Sequence, residues 1–84
     1  MTEEEIQLLG FERRDEPEEP NPFYYYVYKI VDGVDFITPA NDEIENGEWF
    51  VEFLEADPRI IFTKFEEVQT LINLLTKRIK PKQR

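Results

Sequence analysis

The chain has 84 residues, a formal net charge of −9, and neither cysteine nor histidine; serine is absent as well. That composition excludes disulfides, thiolate or imidazole metal centres and the familiar nucleophile–base pairs, and it leaves carboxylates, Lys, Tyr and Thr as the only groups for catalysis. No apolar run approaches the roughly 18 residues of a membrane span, and the acidic start is no signal peptide, so a single soluble, cytoplasmic, non-enzymatic domain is expected.

Thr2 to Leu9 predicts a short helix. Thr2 and Glu5 have capping-box spacing, Ile6 and Leu9 share one side, and Gly10 is placed to end it. Phe11 to Arg14 reads as an edge strand whose Arg13 and Arg14 discourage pairing with other chains. Asp15 to Pro22 holds three prolines and four acids in eight residues, which predicts a loop. Phe23 to Val31 is aromatic and β-branched throughout, the strongest strand in the chain. Asp32-Gly33 between Val31 and Val34 signals a hairpin, with Val34 to Thr38 returning. A two-residue turn sets Lys29 opposite Phe36 and Tyr28 opposite Ile37. One face then carries Tyr24, Tyr26, Tyr28, Ile30 and Ile37. The other carries Tyr25, Val27, Lys29, Val31, Val34 and Phe36. Because Lys29 interrupts the second face, the first is assigned to the core. A register shift of one residue would exchange the faces.

Pro39 to Gly47 predicts an acidic loop. It fails as a calcium loop, because aligning Gly47 with the turn glycine places Ile44 and Phe53 at ligand positions. Glu48 to Glu55 alternates, with Trp49, Val51 and Phe53 toward the core. Asp57-Pro58 makes a turn, and Arg59 to Phe62 a last short strand. Thr63 to Ile79 reads as one amphipathic helix. Thr63 and Glu66 have capping-box spacing, and Phe65, Val68, Leu71, Ile72, Leu75 and Ile79 form a single stripe. Leu75, at the centre of that stripe, is expected in the core. Pro81 stops the run, and residues 81–84 read as a disordered basic tail. Lys77 to Arg84 carries five bases in eight residues, which complement the helix dipole or serve as a phosphate-contacting arm.

These elements predict an α+β fold of two layers. A four- or five-stranded antiparallel meander carries the long C-terminal helix on one face, with a short N-terminal helix beside it. One helix covers one face, yet the strands are apolar on both. Tyr25, Val27, Phe36, Phe50 and Leu54 are therefore the candidate interaction face, unless the N-terminal helix, with Ile6, Leu8 and Leu9, folds over part of it. No residue is a candidate for catalysis, for a cofactor or for a metal. The tyrosine run does not suit base stacking, since Lys29 is the only base among the central strands.

Leu9-Gly10-Phe11, Tyr24 to Tyr28, Trp49 to Phe53 and Ile60 to Phe65 together resemble segments of small uncharacterised α+β proteins of bacteria and their phages. The resemblance spans most of the chain and implies no activity or site. Two functions are expected to compete. The first is a non-catalytic protein-interaction module that binds a protein partner or a second copy of itself through the open face. The alternative is an acidic mimic of nucleic acid that inhibits a DNA-binding protein. Neither requires a membrane, a small-molecule substrate or bound nucleic acid, and the acidic body repels the last.

Overall fold

The first helix forms where its cap places it. Thr2 Oγ1 accepts from the Glu5 N–H at 3.1 Å, and Glu5 Oε1 accepts from the Thr2 N–H at 2.8 Å. Helix α1 follows over Glu3–Leu8. Gly10 then turns the chain at φ +95°, a conformation that disfavours any residue with a Cβ. An added Cβ there would also stand 3.4 Å from Tyr28 Cε2.

The computed structural model describes residues 1–81. Five antiparallel strands form one open sheet, each paired with the next in sequence. They are β1 (Glu12–Glu16), β2 (Phe23–Val31), β3 (Val34–Ile37), β4 (Val51–Phe53) and β5 (Ile61–Phe62). The second helix, α2, spans Phe65–Lys77. The architecture is thus the expected α+β meander with its two helices.

Local differences from the sequence expectation have identifiable causes. β1 runs on through Asp15 and Glu16, which pair with Tyr24 and Phe23, so the acidic connection shortens to residues 17–22. The long partner strand supplies hydrogen bonds whatever the side-chain polarity. Asn46 and Gly47 both take positive φ, 54° and 69°, and close a tight turn bridging Glu45 and Glu48. An Asn-Gly pair favours such a turn, which cuts the expected strand from Glu48 to Glu55 down to β4. The Thr63–Glu66 capping box does not form. The chain stays extended through Lys64 (φ −111°, ψ 129°), which becomes the N-cap and leaves Thr63 one residue too early. The tail expectation falls on residues 81–84, of which 82–84 lie outside the described residues.

The largest difference is in the hairpin. Val27 pairs with Ile37, Tyr28 with Phe36 and Lys29 with Asp35, but Val31 pairs with Val34. The register therefore slips by one between Lys29 and Val31, as a β-bulge produces. Below the bulge every β3 side chain changes face relative to a regular two-residue hairpin. Phe36 goes into the core, where it is fully buried, and Ile37 goes to the other side.

Beyond Ile37, Pro39 cannot continue the ladder, and side chains take it over. Thr38 Oγ1 accepts from the Tyr26 N–H at 3.0 Å, and Asn41 Oδ1 from the Tyr24 N–H at 2.8 Å. The 3₁₀ turn Asn41–Glu43 presents that asparagine.

The core lies between one sheet face and both helices. Ile6 and Leu9 from the α1 region, and Val68 and Ile72 from α2, join Tyr26, Phe36, Trp49 and Val51 in one cluster. Fully burying each such aliphatic or aromatic side chain contributes about 1.5–3 kcal/mol. Phe36 stacks on Phe53 with ring centroids 4.5 Å apart. Leu75 is only half-buried at the rim of the cluster, because the deepest part of the stripe falls at Val68 and Ile72. The N-terminal helix does not cover the second sheet face, since its apolar residues serve the same core as α2, and Leu8 points away at 75% exposure.

Candidate interaction surface

With both helices on one side, the opposite sheet face is built from the alternate residues of the strands. β2 contributes Phe23, Tyr25, Val27 and Lys29. The register places Arg14 beside Tyr25, and Glu12 and Ile37 on either side of Val27. Ile37 in turn pairs with Glu52, and Glu52 with Ile61. The rings of Phe23 and Tyr25 lie 6.3 Å apart. The result is a band of half-buried apolar side chains, Phe23, Tyr25, Val27 and Ile37, interleaved with charge.

The charges are mostly held in place. Arg59 grips Glu52 through two hydrogen bonds, Nε to Oε1 at 3.0 Å and Nη2 to Oε2 at 2.7 Å. The hydrogen bond to Glu52 raises the Arg59 pKa above its ordinary value. Lys29 Nζ reaches back to Asp32 at 2.7 Å across the hairpin end. That contact raises the Lys29 pKa and lowers that of Asp32. Asp35, paired with Lys29 in register, keeps one buried carboxylate oxygen without a hydrogen-bond partner among the described residues.

Of the five expected surface residues, the structure brings two together. Tyr25 and Val27 stand side by side on the uncovered face. Phe36 does not belong there; the bulge turns it into the core. Phe50 precedes β4, is half-buried and lines a hollow with Met1, Asn46 and Thr63. Leu54 follows β4 and is exposed, with its N–H donating to the Asp35 carbonyl at 2.9 Å. Phe23, Ile37 and Ile61 take part instead. Phe23 was readable from its even spacing with Tyr25 and Val27, whereas Ile37 and Ile61 required the register.

The covered face holds the other polar cluster, at the junction of α1 with the sheet. Tyr26 Oη donates to Glu3 Oε2 at 2.7 Å and accepts from Gln7 Nε2 at 3.0 Å. Burial, and then the hydrogen bond to Glu3, raise the Tyr26 pKa above its ordinary value. The Arg13 guanidinium lies 3.6 Å from the centroid of the Tyr24 ring. Glu3 and Gln7 thus fasten α1 to β2, and Arg13 ties β1 to the same strand. Among the described residues no set of three or more carboxylates converges on a metal-sized site, and no helix is long and apolar enough to cross a membrane.

Comparison with protein-family models, curated proteins and solved structures finds no match to this chain.

Proposed function

We propose that the chain is a non-catalytic interaction module that binds a protein through the sheet face around Phe23, Tyr25, Val27 and Ile37. The supporting observation is that both helices share one core, leaving this face with no element over it among the described residues. Its composition suits reversible contact. Aromatic and branched side chains supply apolar area, while Glu12, Arg14, Lys29 and the Arg59–Glu52 pair keep the free face solvated. The same proposal makes it a soluble cytoplasmic chain of the bacterial or phage kind whose motifs it resembles.

The test is affinity capture from a bacterial lysate with the wild type beside a Tyr25→Lys, Val27→Lys double variant. A thermal melt checks that both are folded. A partner captured by the wild type and lost from the variant supports this surface. Equal capture by both sinks it. Capture lost only as salt rises would favour the acidic mimic instead, since screening removes charge-driven binding first.

A further inference from the structure

The two edges of the sheet differ in kind. β1 presents Glu12, Arg13, Arg14 and Asp15, all exposed, in two ion pairs: Arg13–Asp15 at 2.9 Å and Arg14–Glu12 at 3.2 Å. Charges of this sort keep an open edge from pairing with another chain. β5 has no such guard. Its Ile61 is 44% exposed, and Leu74 of α2 is 46% exposed. A groove of about 420 Å³ runs between Phe62 and α2, lined also by Leu71, Leu74, Thr70, Glu66 and Glu67. The Ile60 carbonyl accepts from the Phe53 N–H at 3.4 Å, so its backbone faces β4. Strand alternation then turns the N–H and C=O of Ile61 outward, where no described strand pairs with them.

We propose that the β5 edge and this groove form a two-fold interface with a second copy of the chain. Ile61 exchanges both backbone hydrogen bonds with its counterpart, and Leu71 and Leu74 close the groove against theirs. The charge pattern argues for a second copy over an unrelated partner. α2 has Glu66 and Glu67 in its first turn and Lys77 in its last. Glu67, Leu71 and Leu74 recur at three- and four-residue spacing and share the flank that lines the groove, and Lys77 follows one turn beyond Leu74. The midpoint between Glu67 and Lys77 falls between the two leucines. A two-fold axis normal to the sheet makes the helices antiparallel, so Glu67 of each copy meets Lys77 of the other. Neither residue has an ion pair of its own among the described residues. The patch is small against the roughly 1,600 Å² of a standard interface, so a dimer of micromolar rather than nanomolar affinity is expected. This surface is separate from the face proposed to bind a partner, apart from Ile61, which borders both.

Sedimentation equilibrium of the whole chain across a concentration series tests the proposal. The wild type should show a reversible monomer–dimer equilibrium. Leu74→Glu and Ile61→Lys should each weaken it at least about tenfold, as loss of an anchor does. Tyr25→Lys, on the other surface, should leave it unchanged. Glu67→Lys and Lys77→Glu should each weaken the dimer, and together they should restore it. Amide exchange at Ile61, slowing as wild-type concentration rises, reads the same contact without any variant. A monomer up to millimolar concentration overturns the proposal. So does a dimer indifferent to Leu74→Glu, or a charge-swapped double variant no tighter than the single ones.

Discussion

Phe36 and Ile37 are neighbours in sequence and lie on opposite sides of the sheet. Phe36 touches Phe11, Phe53 and Phe62 and has no exposed surface. Ile37 faces outward between Val27 and Glu52. The same contrast repeats along β1 and β2. Tyr26 is buried and hydrogen-bonded, whereas Tyr25 is half-buried beside Phe23; Arg13 stacks on Tyr24, whereas Arg14 forms an exposed ion pair with Glu12. Residue type therefore says little about energetic weight here. The face on which a side chain falls decides it, and one bulge decides the face for β3.

Each pair turns that contrast into a measurement. The aliphatic and aromatic pair should differ most. Phe36→Ala should destabilise the chain by about 3–5 kcal/mol, and Ile37→Ala by only about 1–2 kcal/mol, as read from urea midpoints. Equal losses would mean that the bulge is misplaced and the faces are exchanged. The tyrosine pair comes next. Tyr26→Phe removes a donor to Glu3 and an acceptor for Gln7, and should cost about 1 kcal/mol. Tyr25→Phe should leave the melt unchanged, and a cost as large as that of Tyr26→Phe would reveal a partner for its hydroxyl.

Tyr24 and Tyr26 also sharpen the contrast through pH. Burial raises both above their ordinary 10.0, and for Tyr26 the hydrogen bond to Glu3 adds to it. The neutral phenol is the form favoured on folding. Their contribution is therefore fully present below pH 10 and is lost as pH rises through the higher folded-state values. An ultraviolet titration should show two phenols ionising later in the folded chain than in urea. Superimposable curves would show that the covered face does not hold them. The arginine pair gives the smallest effect. Arg13→Ala should cost about 0.5–1 kcal/mol for the lost stacking, and Arg14→Ala, in an exposed ion pair, less than about 0.5 kcal/mol.

Much of this fold is legible in the sequence. The Thr2–Glu5 cap, Gly10, the aromatic strand, the Trp49, Val51 and Phe53 alternation and the α2 stripe each follow from spacing alone. The candidate surface was legible only in part, for a physical reason. Period-2 alternation assigns faces within one strand, so it sets Tyr25 and Val27 together and Tyr24 and Tyr26 opposite them. Transfer of that assignment to the next strand depends on register, and the extra residue between Lys29 and Val31 leaves no mark in composition. A regular two-residue hairpin therefore gives Phe36 the wrong neighbours. Other features escaped because they are tertiary. Thr38 and Asn41 continue the hydrogen-bond ladder by accepting from Tyr26 and Tyr24, which no local pattern announces.

Trp49 is the only tryptophan in the chain and is 5% exposed. Its ring lies 6.2 Å from that of Tyr24 and 5.5 Å from that of Tyr26. The molecule thus carries a built-in optical gauge. In the folded state the indole should emit at short wavelength and collect excitation from both tyrosines; unfolding should shift the emission to the red and break the transfer. Because fluorescence works at very low concentration, folding can be followed where copies of the chain are too dilute to meet. The stability of the single chain can then be measured apart from anything it gains by association.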